Sequence, residues 1–306
     1  MKGCTCHLCG ERSRPVVRRG SHESRNLQGY GTRACSACGL EWTEPQPSAA
    51  ELAELYGKGY RLHDPRYVNL APPPAVRGLV SALRWLALTA YSLRYGPEWP
   101  GESRVGFVLD VGFGAGMRLQ DAARRGWSVA GIEVNAQAIR SARERMPDGV
   151  FDLATIETTT LPLESFDLVL MYHVLEHVRD PDVALANAAK LLKGGGRLVV
   201  AVPNLRSAAR RLFGQNWFGY QLPEHLWHFS ERNLGDIARR AGLLVERVRP
   251  QRYVGGYADS LANALNLDMR SPVRVALRAA LWLPGLVGLL IGDASAIEVW
   301  LRKCES

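Results

Sequence analysis

The sequence predicts an α/β fold built on a parallel sheet, preceded by a small cysteine-rich module. Three observations predict it. From Val105 onward, short apolar runs alternate with segments of helical periodicity. The first of those runs ends in a glycine-rich turn, Gly112-Phe113-Gly114-Ala115-Gly116. Ahead of this region stand two Cys-x-x-Cys-Gly units, Cys6 to Gly10 and Cys35 to Gly39, with 25 residues between Cys9 and Cys35.

The chain of 306 residues is 47% hydrophobic and 22% charged, which excludes a disordered tail, a collagen-like chain and a disulfide-dense miniprotein. Its net charge of +8 is uneven: residues 102–204 carry −2, and the segments on either side carry +5 each. Such flanks suit an anionic partner, whether nucleotide, nucleic acid or membrane surface, and an arginine-rich solubilising surface accounts for them equally well. Met1 to Gly39 is polar and holds five of the six cysteines, so no secretory leader and a cytoplasmic location are expected. Leu79 to Tyr95 is broken by Arg84 and Arg94, and Val275 to Ile291 by Arg278 and Pro284. Both fall short of a membrane span and read as core or interfacial helices.

Three zones follow: a zinc-ribbon module at 1–46, a helical connecting or lid region at 47–101, and an α/β domain at 102–306 with a helical insertion at about 255–292. In the last zone, strands are expected at 106–111, 128–133, 166–172, 197–202, 243–249 and 296–302. Helices are expected at about 117–125, 136–145, 181–192 and from the Ser230 cap to Ala241. In the connecting region, a helix is expected at 48–56 and an amphipathic one at 75–95.

The paired cysteine units predict a closed, structural zinc site of Cys6, Cys9, Cys35 and Cys38, since each turn brings two thiolates to one ion and the following glycine eases the turn. Cys4, His7 and His22 are alternative ligands, and Cys304 is expected to be a free thiol. The strand at 106–111 feeding glycines, followed by a second strand ending in Glu133, predicts a nucleotide-type ligand whose ribose hydroxyls meet that acid.

Leu109 to Gly116 together with Gly131-Ile132-Glu133-Val134 resembles the first two motifs of the class I S-adenosylmethionine-dependent methyltransferases. Phe166 to Leu170, His173 to Val178 and Asp180-Pro181 resemble the fourth-strand region of that family, and Gly194 to Leu198 its fifth. The resemblance covers residues 105–250, completed by the strand near 296–302. It implies a Rossmann-like, seven-stranded sheet binding S-adenosylmethionine through Asp110, Gly112, Phe113, Gly114, Gly116, Glu133, Val134, Thr155, Ile156, Tyr172 and His173.

The loop Asn216 to Ser230 packs aromatics around Glu224, His225 and His228, just before a capped helix. His225 is expected to be the general base that takes the acceptor's proton, with Glu224 or Tyr220 orienting it; His228 and His173 are the other candidates. The segment Pro223 to Ser230 also resembles that of bacterial methyltransferases acting on polysaccharide or natural-product intermediates. The expected activity is O-methylation of a small sugar, lipid-linked or natural-product acceptor. Three alternatives remain at this point: an RNA methyltransferase gripping ribosomal RNA with its zinc ribbon, a sugar C-methyltransferase, and a non-catalytic binding protein. Residues Ala75 to Tyr95 and Val275 to Ile291, with Arg77, Arg84, Arg274 and Arg278, are expected to cap a greasy acceptor pocket, rest on a membrane surface, or simply pack as core.

Overall fold

The computed structural model describes residues 5–11, 13–16, 29–48, 50–52, 54, 85–86, 89–95, 99, 105–267 and 271–304. Strands among them run in chain order as β1 (Ser13–Val16), β2 (Gly31–Cys35), β3 (Glu41–Glu44), β4 (Phe107–Val111), β5 (Ser128–Glu133), β6 (Val150–Leu153), β7 (Phe166–Tyr172), β8 (Leu192–Pro203), β9 (Trp227–His228), β10 (Leu243–Pro250) and β11 (Ala296–Lys303). Helices are α1 (Met117–Arg124), α2 (Ala136–Arg145), α3 (Pro181–Leu191), α4 (Ala208–Phe213), α5 (Glu231–Arg240), α6 (Gly256–Ala264), α7 (Pro272–Ala280) and α8 (Trp282–Ile291). These form two compact units. One draws on Met1–Trp99, Pro203–Ser230 and Arg249–Ile297, the other on Pro100–Val202, Glu231–Val248 and Glu298–Ser306.

The second unit carries the seven-stranded sheet, ordered β10-β11-β8-β7-β4-β5-β6. The pairings of β4 with β5 and β7, of β5 with β6, and of β7 with β8 are all parallel. Such strands are covered on both faces and read as continuous apolar runs, as Val108, Leu109 and Val111 do here. The chain steps outward through β5 and β6, then returns to the far side of β4 with β7. That reversal opens a crevice at the carboxyl ends of the strands.

Local chemistry sets the helix starts. Asn135 accepts from the backbone N–H groups of Gln137 and Ala138 at the head of α2. Asp180 does the same for Asp182 and Val183 of α3, with Pro181 in the first turn. Helix α1 has no side-chain cap and begins at Gly116, in the left-handed region.

Two elements depart from expectation. Strand β6 has only four residues, too few for an alternation to show. Strand β8 starts at Leu192 and takes in Gly194 to Gly196, with a register irregularity where Phe166 pairs Leu192 and Leu168 pairs Arg197. A Cβ at Gly196 would sit 3.1 Å from the Phe166 carbonyl oxygen, so the bulge passes at glycine.

The first unit holds an antiparallel sheet, β1-β2-β3-β9, in which Glu41 faces His228 and Trp42 faces Trp227. None of β1, β2 or β3 was expected, because the segment lacks apolar periodicity. Ser48 and Glu51 form a reciprocal capping box, Glu51 N–H to Ser48 Oγ at 3.2 Å and Ser48 N–H to Glu51 Oε2 at 2.7 Å, opening the helical residues 50–52 and 54. Residues 55–84, which include the first part of the predicted amphipathic run with Arg77 and Arg84, lie outside the described ones.

The apolar stretch 275–291 is two helices, α7 and α8, with Leu281 between them, and α6 precedes them. Tyr91, Leu286, Leu289 and Ala294 share a core here. Arg274 follows the core-packing alternative and is buried: its Nε lies 3.3 Å from Asp259 Oδ1, and Arg278 Nη2 reaches the same oxygen at 2.9 Å. A buried carboxylate with two guanidinium partners explains why these cations turn inward. No single helix among the described residues is long and apolar enough to cross a membrane.

Candidate functional site

In the sheet-bearing unit, the loop after β4 is shaped by glycines with positive φ: Gly112 at 66°, Gly114 at 54° and Gly116 at 71°. A Cβ at Gly112 would lie 2.7 Å from Val174 Cγ2, so this turn needs both the left-handed backbone and the missing side chain. At Gly131, a Cβ would run into the Phe113 ring, which packs under the loop. The loop is thereby held close to the strand ends, with Gly112 and Ala115 exposed and Gly114 and Gly116 buried.

Glu133, buried at the end of β5, gathers the loop around its carboxylate. Oε2 accepts from Gly114 N–H at 2.9 Å, while Oε1 accepts from Val134 and Asn135 N–H at 2.9 and 3.0 Å. Three such bonds hold the carboxylate in one orientation as an acceptor. Two apolar side chains stand exposed beside it, Val134 after β5 and Leu153 at the end of β6. Thr155 is exposed and hydrogen-bonded within its own turn, and Ile156 is buried beneath it. Asp110 is 3% exposed at the end of β4. Burial pushes its carboxyl up to about 7, against the pull of Arg118 and with a small addition from Glu133. The Arg118 guanidinium stacks on Tyr172 with 3.3 Å to the ring centroid.

His173 follows Tyr172 with φ of 56°, a backbone that residues other than glycine rarely adopt. Its amide donates to the Ala201 carbonyl at 2.8 Å, and its Nδ1 lies 3.1 Å from Oε1 of the fully buried Glu176. The carboxylate fixes the ring and selects the tautomer with Nδ1 protonated.

The first unit contains the other predicted residues. The four thiols converge: Cys6 and Cys38 sulfurs are 3.6 Å apart, Cys9 and Cys35 3.5 Å, and all four lie within 4.8 Å of one another. A tetrahedral zinc at about 2.3 Å from each sulfur sets them about 3.8 Å apart, so the cluster fits the ion. Leu8 N–H points at Cys6 Sγ and Cys38 N–H at Cys35 Sγ. Burial raises the Cys6 thiol, whereas at Cys35 backbone N–H groups outweigh burial and bring it down to about 7. His7 is not among these ligands: its ring stands edge-on to Trp42 and Trp227, at 5.8 and 5.0 Å between centroids. Cys4 and His22 lie outside the described residues, and Cys304 is an exposed free thiol.

His225 is 3% exposed, and its Nδ1 gives its proton to the Gly219 carbonyl at 2.8 Å, leaving Nε2 as the basic nitrogen. The partner of Nδ1 is thus a backbone carbonyl. Glu224 is half-buried. The Tyr220 hydroxyl donates to Glu41 Oε2 at 2.8 Å and accepts from Arg210 Nε at 3.2 Å. His228 belongs to β9, with its Nε2 3.5 Å from Thr43 Oγ1 and its ring edge-on to Tyr220 at 5.0 Å. Sequence reasoning missed Arg118, Gly219, Glu41 and Thr43. Only Gly219 carried a local signal, as the small residue among aromatics; a Cβ there would collide with the Trp217 indole.

Residues 87–248, just over half of the chain, match the family model of a methyltransferase domain. The ubiquinone biosynthesis O-methyltransferase of Xanthomonas euvesicatoria pv. vesicatoria (strain 85-10) is 33% identical over 157 residues, covering 48% of this chain and 66% of that protein. The protein of the same name from Cereibacter sphaeroides (strain ATCC 17025 / ATH 2.4.3) is 34% identical over 146 residues, 44% of this chain and 59% of that one. The match therefore spans just under two thirds of such curated relatives at most. Among solved structures, a putative S-adenosylmethionine-dependent methyltransferase from Listeria monocytogenes aligns with a TM-score of 0.49 at 15% identity, over 71% of this chain and all of that one.

Proposed function

The chain belongs to the methyltransferase-domain family, and on that premise we propose that it is an S-adenosylmethionine-dependent O-methyltransferase acting on a small hydroxyl-bearing acceptor. The observation that carries this reading is the Glu133 carboxylate, fixed by three backbone N–H groups beside a tight loop that its glycines turn through positive φ. These residues fit the cofactor. The one acceptor site left on Glu133, at Oε2, takes a ribose hydroxyl, exposed Val134 offers an apolar face to the adenine, and Gly112 to Gly116 admit the methionine portion. Asp110, Tyr172 and His173 complete the cofactor set. When bound, the cofactor supplies an activated methyl group on a sulfonium.

A hydroxyl is a poor nucleophile at neutral pH, so this chain's task is to orient it and remove its proton. His225 accepts that proton at Nε2, while its Nδ1–H stays on the Gly219 carbonyl and keeps the tautomer fixed. A second reading assigns the base to His173, favoured by its contact with the Glu176 carboxylate, which stabilises an imidazolium more than a carbonyl does. The four cysteines hold one structural zinc, and a full thiolate set leaves the ion no open position for catalysis. The acceptor class is a sugar, a lipid-linked or a natural-product intermediate; the printed name of the curated relatives, an O-methyltransferase of ubiquinone biosynthesis, supports a hydroxyl acceptor.

The test is calorimetry with S-adenosylmethionine, then S-adenosylhomocysteine release across a panel of phenols, glycosides, lipid-linked sugars and ribosomal RNA fragments, with zinc measured by elemental analysis. Cofactor binding, release dependent on a small hydroxyl compound and one equivalent of zinc are expected. Absent cofactor binding overturns the enzyme reading, turnover on RNA alone overturns the acceptor, and absent metal overturns the zinc.

A further inference from the structure

The cysteine cluster and the His225 loop are joined by contacts that metal binding alone does not require. Strand β3 leaves the second cysteine turn, Cys35 to Gly39, after only Leu40, and β9 pairs with it through Glu41 to His228 and Trp42 to Trp227. From the middle of β3, Thr43 holds the loop twice. Its amide donates to the Leu226 carbonyl at 2.9 Å, and its hydroxyl donates to the carbonyl of His225 itself at 2.5 Å. Thr43 is fully buried, as are Trp42 and Trp227 to within 2%.

A second connection leaves the first cysteine turn. His7, inside Cys6-His7-Leu8-Cys9, sets its ring against both tryptophans of that strand pair. A third fixes the other end of the loop: Glu41 accepts from the Tyr220 hydroxyl at 2.8 Å and pairs with Arg210 at 2.5 Å. Tyr220 adjoins Gly219, whose carbonyl orients the His225 ring. Two contacts that help set the imidazole's position, through the Gly219 carbonyl and the His225 main chain, thus trace back to β3.

We propose that the zinc module is a clamp for the His225 loop, with Thr43 as its positioning residue and His7 as a second jaw. Strand β3 is four residues long, and β9 two. Pairs this short are not stable in water by themselves. A metal site in so small a segment supplies folding free energy directly. The ion holds the two cysteine turns, the turns hold β3, and β3 holds the backbone of the residue proposed above as the base.

The catalytic consequence rests on the His225 reading, but the clamp is tested apart from it. The experiment is hydrogen exchange on zinc-loaded wild type, Thr43→Val and Thr43→Ser, and on wild type stripped with a chelator. Thr43→Val keeps the β-branched shape and loses the hydroxyl. Amides of residues 222–229 are expected to exchange about tenfold faster in it, the size of one buried hydrogen bond, with residues 107–133 unchanged. Thr43→Ser restores wild-type exchange. Chelation is expected to deprotect 41–44 and 222–229 together, with 107–133 still protected. Turnover of Thr43→Val is expected to fall several-fold at unchanged cofactor affinity, with Thr43→Ser restoring it.

Wild-type exchange at 222–229 in Thr43→Val, or in the stripped protein, overturns the clamp. So does a serine variant as impaired as the valine one, since packing rather than the hydroxyl would then be at work. If His225→Ala proves silent in turnover, the base assignment falls, and the exchange data still decide the clamp.

Discussion

Two buried side chains, one in each compact unit, are held in opposite ways. Glu133 takes all three of its backbone hydrogen bonds from residues within 19 positions of it, on its own strand end and the glycine loop. His225 finds its ring partner six residues away, while its main chain is fixed by Thr43 across 182 positions. The first arrangement is a contiguous motif that folds back on itself. The second comes into being only when remote strands pair, and its integrity depends on whatever stabilises those strands. A cofactor end that is locally complete and a histidine loop that is remotely supported will fail separately.

The largest expected effect lies on the histidine side. His225→Ala should lower turnover by about 10²–10⁴-fold with cofactor affinity intact, the usual contribution of a positioned base. His173→Ala sharpens the comparison. If it, rather than His225→Ala, abolishes turnover and removes the acid limb of the pH–rate profile, the base belongs to the sheet-bearing unit and the Glu176 carboxylate is its orienting partner.

An effect of intermediate size comes from Asp110. Its folded carboxyl stands near 7 through burial, against an unfolded value near 3.8. The stability associated with the bound proton is full below about pH 4 and is lost as pH rises towards 7, because only the folded state then keeps that proton. Asp110→Asn should therefore flatten the decline and stabilise the protein above pH 7, by at most about 4 kcal/mol from the three-unit shift. Denaturant midpoints at pH 5 and pH 8 check it; equal displacement of both midpoints by the substitution contradicts the assignment.

The smallest effect is on binding alone. Glu133→Ala removes charged hydrogen bonds worth about 1.5–3 kcal/mol each, so cofactor affinity should drop about 10- to 100-fold for the loss of one. Turnover at saturating cofactor should stay within a few-fold, and calorimetry beside steady-state kinetics separates the two. Unchanged affinity would remove Glu133 from the ribose site.

How legible each region was follows from the same contrast. Strands β5 and β7, helix α2 and the glycine turn were readable because their determinants are neighbours in sequence: a buried apolar run, an Asn cap, glycines where φ must be positive. The cysteine pairs were readable for the same reason, since two turns of fixed spacing carry all four thiols of the cluster. Helices α7 and α8 merged in the reading because composition alone does not mark the break at Leu281, and Arg274 seemed exposed because its partner, Asp259, lies 15 residues away on another helix.

The sequence by itself determined six of the sheet's seven strands, the glycine loop with its acid, and the cysteine pairs, since each is specified by local periodicities and spacings. Only the tertiary structure decided that β9 joins the N-terminal strands, that the Gly219 carbonyl meets His225 Nδ1, and that Thr43 holds that residue's main chain. The physical reason is that a hydrogen bond between backbone groups far apart in the chain leaves no residue-type signature: every residue carries a carbonyl, and a threonine in a short strand looks the same whether its hydroxyl meets water or a histidine's main chain.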